Sequence, residues 1–226
     1  MTWPGIRILA TGFGPFPGVP FNASSVLVEQ LAQTGPRSVP RATVFPAILP
    51  TDWSLAALLS RRLVQKFDPD VILHFGVSRR CTGFEIETQA RNLASPFLDH
   101  AGCAPRGRTV RRGTPPILKA TLPAPLFVQR LRLAGLPANL SSDAGRYLCN
   151  ALLYETLLHV RHQKPAPLVG FIHIPALPTQ SGNGAAGNAA RAWRELKAGA
   201  EIIVRATVPL AMAARRRGLG TARQIG

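Results

Sequence analysis

Apolar residues fall along this chain in two alternating patterns: short unbroken runs, and longer stretches at helical spacing. The first run, IRILAT at 6–11, ends at a glycine-rich loop from Gly12 to Gly18. A run so short and apolar predicts a buried strand. Ser24 or Ser25 can cap a helix through VLVEQLAQ, which Gly35-Pro36 should stop. A second strand is predicted over ATVFPAILP, then a helix over WSLAALLSRRLVQKF capped by Thr51 or Asp52. After the Asp68-Pro69-Asp70 turn, VILHFGV reads as a central strand, and FEIETQARNLA as extended chain. Ser95 to Pro116 mixes Pro, Gly and Arg without a period, which predicts a long loop or flap. Helices over APLFVQRLRLAG and YLCNALLYETLLHVRHQ flank a turn at Asn139 to Gly145. LVGFIHIPALP is another buried strand, followed by a polar loop from Thr179 to Asn188. The last helix, over 190–214, should be interrupted or ended at Pro209, and the chain beyond it should be frayed. Strands alternating with helices, without a repeat or a linker, predict an α/β fold with a mostly parallel central sheet.

Composition narrows the class. In 226 residues, 46% are hydrophobic and 17% charged, which excludes a disordered or low-complexity chain. No apolar run reaches the roughly 18 to 20 residues of a membrane span. The opening segment is broken by Pro4, Arg7, Gly12 and Gly14 before a signal-peptide core can form. Three cysteines, Cys81, Cys103 and Cys149, are an odd number for a secreted disulfide framework. A soluble, cytoplasmic protein with no membrane partner is expected.

The charge is lopsided: 27 Lys and Arg against 11 Asp and Glu, or +16. The basic residues are mostly arginines in short clusters, Arg61-Arg62, Arg79-Arg80, Arg106 to Arg112 and Arg215 to Arg217. A sequence pI near 11.6 opens the question of nucleic acid. The clusters lack interleaved aromatics, zinc-finger spacing and RNA-recognition motifs. Basicity incidental to function is therefore the expectation, nucleic acid is not an expected partner, and a non-catalytic binder of polyanions stays as an alternative.

Candidate chemistry sits at the ends of strands. The loop after the first strand is not Gly-x-Gly-x-x-Gly, and its phenylalanines and prolines fill the space of a pyrophosphate. Phe13 and Phe16 could instead wall an apolar pocket, or simply plug the core. Cys149 opens a helix, where amides and the helix dipole favour a thiolate, although a lone cysteine is commonly a small buried hydrophobe. His173 lies inside an apolar strand, and Glu87 is a carboxylate in an extended apolar stretch, two residues after Glu85. Together they supply the thiol, base and orienting carboxylate of a cysteine hydrolase.

At these places the chain resembles the pyroglutamyl peptidase I family of cysteine peptidases. The resemblance runs through Thr11-Gly12-Phe13-Gly14-Pro15-Phe16-Pro17-Gly18 with Asn22, and through Glu87, Ala90 and Asn92 of Glu-x-x-Ala-x-Asn. It continues in Thr121-Leu122-Pro123, in Ala144-Gly145-Arg146-Tyr147-Leu148-Cys149-Asn150, and in Gly170 to Pro178, covering roughly residues 6 to 208. The chain departs from the family pattern at three points. Gly-x-Ala-Gly-Gly-Arg becomes Gly76-Val77-Ser78-Arg79-Arg80-Cys81. Thr88 stands for the arginine after the glutamate. Ser95 to His100 replaces Ala-Arg-Ile-Pro-Asp-Asn, with loss of its arginine.

The resemblance implies a single-domain three-layer α/β/α sandwich with a mostly parallel, mixed central sheet over 1–214, and a basic, flexible tail over 215–226. It implies an exopeptidase that removes an N-terminal pyroglutamyl residue from peptides through a thioester. Cys149 would be the nucleophile, His173 the acid and base, and Glu87 its orienting carboxylate. Phe13 and Phe16 would sandwich the lactam ring, with Asn22 as its polar partner and Val77 also lining the pocket. No metal or organic cofactor is implied, and a homodimer or homotetramer is. A hydrolase of the same fold with a shifted substrate is the nearest alternative, supported by the altered loop at Val77 to Cys81.

Overall fold

The computed structural model describes residues 5–15, 21–38, 40–177 and 185–223. The main sheet has six strands in the order β2-β1-β3-β8-β4-β7. β1 (Ile6–Phe13), β2 (Ala42–Leu49), β3 (Val71–Ser78) and β8 (Leu168–Pro175) run parallel. β4 (Phe84–Glu87) pairs antiparallel with β8, and β7 (Ala138–Ser141) runs parallel to β4 at the edge. A separate pair, β5 (Gln89–Arg91) with β6 (Ile117–Lys119), is antiparallel.

Alternation along the strands sorts the core onto two faces. Ile8 and Ala10 of β1, Leu73 and Phe75 of β3, and Ile172 and Ile174 of β8 pack on one side. They meet α1 (Ala23–Ser38), α3 (Ala124–Leu133) and α5 (Ala185–Arg223) there. Leu9, Ile72, Val169 and Phe171 face the other side, against α2 (Leu55–Phe67) and α4 (Leu148–Val160). The result is the expected three-layer α/β/α arrangement with a mixed, mostly parallel sheet. No helix among the described residues is long and apolar enough to cross a membrane.

Several boundaries differ from the sequence pattern. α1 runs past Gly35-Pro36 to Ser38, and α5 passes Pro209 and continues to Arg223. The expected tail boundary at 215 therefore lies inside a helix, and the Arg215 guanidinium pairs with the Asp70 carboxylate. Asp70 also accepts the Arg7 amide at 2.7 Å, so this contact joins the end of α5 to the start of β3. Residues 139–141, expected in a turn, complete edge strand β7. Of the polar loop expected from Thr179 to Asn188, residues 179–184 lie outside the described residues, and 185–188 instead begin α5.

The Ser95 to Pro116 stretch is a loop, as expected, but it is tied down on all sides. β5 and β6 close its two ends. Asp99 accepts the amides of Trp53, Ala101 and Cys103. Burial alone would raise its carboxyl, but these amides outweigh it and hold it below the usual range. Asn92 donates to the Arg111 carbonyl, and Arg111 and Arg61 both pair with Glu155 on α4.

One buried polar chain links the sheet to both helices of one outer layer. His74, fully buried on β3, has Nδ1 at 2.7 Å from Thr11 Oγ1 and Nε2 at 3.1 Å from Thr156 Oγ1. Thr156 lies 3.3 Å from Ser60 on α2. Burial pushes the His74 imidazole down to about 3, so it stays neutral in the folded state. The unfolded chain takes a proton near pH 6.5 that the folded chain refuses, so stability falls as pH drops from there toward 3. The expected slope from this group is about 1.4 kcal/mol per pH unit. Denaturant melts of the wild type and His74→Gln between pH 6.5 and 4 check it: the variant should lose that part of the slope.

Candidate active site

The site forms where the first turn of α4 crosses β3 and β8. Tyr147 is the N-cap in extended conformation, and α4 begins at Leu148, so Cys149 is its second residue. The first amides of a helix have no intrahelical acceptor and point outward, beside the thiol. Cys149 is partly exposed, and its thiol lies close enough to the His173 ring to favour the ring's charged form. His173 Nδ1 lies 2.8 Å from Glu87 Oε1. Glu87 is 0% exposed and His173 7% exposed, so this carboxylate and imidazole meet away from water.

Sheet register explains the meeting. Glu85 opposes His173 and Ile86 opposes Ile172 across β4 and β8. Residues two apart share a face, so Glu85, Glu87 and His173 all project to the α4 side. Gly76 is the β3 partner of His173. A Cβ on Gly76 would stand 2.7 Å from the Phe171 ring and 3.2 Å from Cys149 Sγ, so only glycine leaves room for the thiol. Phe171 in turn lies 4.8 Å from the His173 ring and 6.4 Å from Phe13, centroid to centroid.

Electrostatics favour a charged imidazole. Burial pushes His173 down, but hydrogen bonds to Cys149 and Glu87, with their negative charges, outweigh it and raise the ring to about 10. The other described thiols lack this setting. Cys81 is buried and pushed up to about 12, chiefly by burial, and Cys103 is exposed in the loop. Ligand atoms of Glu85, Glu87 and His173 lie within 4.8 Å of one another, a spacing a cation could use. Glu87 Oε1 and His173 Nδ1 are already bonded to each other, so the group reads as part of the thiol site.

The predicted site residues divide. Glu87, Cys149 and His173 come together, and Phe13 joins them through Phe171. Asn22 is 2% exposed and largely spent on its own loop. It donates to the Gly14 carbonyl and accepts the Ser24 amide and hydroxyl, which leaves one amide N–H uncommitted. The Val77 side chain does not join the site: one residue on from Gly76, it packs on the opposite face with the α1, α3 and α5 core. Phe16 lies outside the described residues.

Sequence reasoning missed three supports. Gly76 and Phe171 need the register to be seen, although Phe171 stands two residues from His173 and so shares its face. Asn150, fully buried, donates to the carbonyls of Arg91 and Leu93 and accepts the Arg91 amide at 2.8 Å. It clamps the first turn of α4 to the chain leaving Glu87. Its place directly after Cys149 was the available signal.

A thiol at a helix start, beside an imidazole that a buried carboxylate orients, on an α/β sheet, defines a cysteine-hydrolase site. The family model described as pyroglutamyl peptidase matches residues 6–206. The chain is 32% identical over 202 residues to pyrrolidone-carboxylate peptidase 1 of Ralstonia nicotianae, covering 89% of this chain and 92% of that one. It is 34% identical over 177 residues to the pyrrolidone-carboxylate peptidase of Levilactobacillus brevis, covering 77% and 84%. The crystal structure of pyroglutamyl peptidase I from Bacillus amyloliquefaciens superposes with a TM-score of 0.78 at 27% identity, covering 88% of this chain and 95% of that one. The chain belongs to the pyroglutamyl peptidase family.

Gly76→Ala tests the geometry. The added methyl must displace Phe171 or Cys149, and displacements of about 1 Å cost on the order of 10²-fold in rate. Steady-state kinetics should show that loss mainly in kcat, with overpacking lowering stability by about 1–3 kcal/mol.

Proposed function

We infer that the chain removes an N-terminal pyroglutamyl residue from peptides as a cysteine peptidase, with Cys149, His173 and Glu87 as its catalytic residues. The observation that carries this reading is the continuous contact from the Cys149 thiol through His173 to the buried Glu87 carboxylate. With the proton on His173, the Cys149 sulfur attacks the carbonyl carbon that joins the pyroglutamyl ring to the next residue. The carbonyl oxygen gains the negative charge, and first-turn amides of α4 are the nearest donors for it. His173 gives its proton to the departing amine as the C–N bond breaks. It then takes a proton from the water that hydrolyses the thioester, restoring the thiol site. Glu87 holds the ring so that Nε2 faces Cys149.

A pyroglutamyl residue is flat, has no free amine and carries a lactam. Phe13 and Phe171 offer an apolar wall beside the thiol, Phe16 is the second ring of the proposed sandwich, and the remaining Asn22 N–H can donate to the lactam carbonyl. A side-chain contact from Val77 forms no part of this pocket. The reading includes a reducing, cytoplasmic setting, supported by three cysteines that stay free. It also includes assembly as a dimer or tetramer, supported by exposed Leu133 and Leu140 beside edge strand β7 and checked by light scattering.

Two outcomes test it. Release of a fluorophore from a pyroglutamyl conjugate should be abolished in Cys149→Ala with little change in thermal stability. Glu87→Gln should lower kcat by about 10²-fold or more, far beyond Glu85→Gln. The pH profile carries a sign. Because His173 is raised, the stabilisation it gains from its partners is complete below about pH 6.5 and lost as pH rises through about 10. Activity should therefore fall on an alkaline limb near that value, and Glu87→Gln should move the limb to lower pH.

A further inference from the structure

The two turns that frame the thiol carry exposed arginines. One follows β3 directly: Ser78 accepts the Cys81 amide through its carbonyl and the Arg80 amide through its hydroxyl. Arg79 and Arg80 are both exposed on this turn. Its position is fixed at both ends. Gly76, before it, abuts Cys149 Sγ and opposes His173. Cys81, after it, is buried close to Glu85, which also opposes His173. The second turn leads into α4, with exposed Arg146 three residues before Cys149 and its carbonyl held by the Ser95 amide at 2.7 Å.

Carboxylates also stand near these turns, Asp99 among them, buried and held in its charged form close to Tyr147. Glu85 is half-buried and close to the Cys81 thiol, and Glu87 is fully buried against His173. Asp143 is exposed, but its Oδ1 accepts the Gly145 amide within its own turn. Arg80 and Arg146 thus present exposed guanidiniums on these turns, with Asp143 the exposed carboxylate beside them. The lactam end of the substrate is neutral, so the rim can act only on the part of the substrate beyond the scissile bond. A guanidinium matches a carboxylate there in charge and in its paired donors.

We propose that Arg80 and Arg146 recognise a carboxylate carried by the residue after the scissile bond, so that short pyroglutamyl peptides with a free C-terminus, or with an acidic residue at that position, are the favoured substrates. The inference rests on the peptidase reading above. Arg79 and Arg80 stand where the quoted family pattern has two glycines. Arg79 adds to the field of the same turn.

Three substrates and one variant test it: pyroglutamyl-alanine, its C-terminal amide, and pyroglutamyl-aspartic acid amide. At low ionic strength kcat/KM for pyroglutamyl-alanine should exceed that of its amide by about tenfold, and the ratio should shrink as salt is added. The aspartate compound reports whether a side-chain carboxylate serves as well as the terminal one; a gain over the alanine amide with either carboxylate supports the proposal. In the Arg80→Gln, Arg146→Gln double variant the ratios should approach one. Equal cleavage of all three by the wild type, or a preference that survives in the variant, would overturn the proposal and leave the peptidase activity standing. Cleavage of none of them overturns the peptidase reading and this inference with it.

Discussion

The hydrogen bond between Glu87 and His173 is the constraint on which the site depends. A carboxylate removed from water is costly unless a charged or strongly donating partner replaces the lost hydration. His173 is that partner at Oε1, and Glu87 Oε2 has no hydrogen-bond partner among the described residues. The pair forms only because β4 reverses direction beside β8. That reversal sets Glu85 opposite His173 and brings Glu87 onto the same face, close enough for a side-chain bond. The antiparallel pairing in an otherwise largely parallel sheet is thus what supplies the orienting carboxylate.

The nucleophile arrives from a different element, so the second constraint is the seating of α4. Three contacts hold it, at different depths. Asn150 ties its first turn to the backbone after β5. Tyr154 and Glu155 tie its middle to the long loop through Pro115, Thr114 and Arg111. Thr156 ties its far half to His74 and, through it, to Thr11 on β1. The stretch expected to be a long loop or flap is therefore a loop that acts as a strut. Its ordered contacts oppose any opening that would shift Cys149 relative to His173, and they keep the attack geometry preorganised.

How much of this was legible follows from the range of the interactions. Buried parallel strands and amphipathic helices announce themselves locally, and β1, β2, β3, β8 and α2 to α4 lie close to where the apolar pattern put them. β7 was unreadable because only Ala138 of its four residues is buried, at an edge, beside turn-forming Asn and Ser. α5 outlasts Pro209 because Ile203, Val204, Val208 and Ala211 pack continuously on the sheet, and that burial outweighs the lost backbone bond. Cys149, His173 and Glu87 were visible as residue types in unusual places. Gly76 and Phe171 were not, since their roles exist only once β3 and β8 are in register. Val77 shows the opposite error: a motif position was carried over without the pleat that turns its side chain to the other face.

The arginines acquire a pattern once burial is known. Close to the catalytic pair, buried Cys81 and half-buried Thr88 stand where the quoted family pattern has arginines. Cys81 is apolar enough to be buried, and its thiol lies close to Glu85. Inside the fold the carboxylates are already matched: Glu155 serves two guanidiniums, and Asp70 serves Arg215 and the Arg7 amide. With 27 cationic side chains and 11 acids, most of the remaining charge must lie at the surface, where water and salt screen it. Charge at the rim of the site costs little in stability, because it is never desolvated in the free protein. It acts when a substrate enters and excludes part of that water. Moving positive charge from beside the reacting atoms to the rim therefore shifts its influence from the oxyanion, which the helix amides must then stabilise, to the remainder of the peptide.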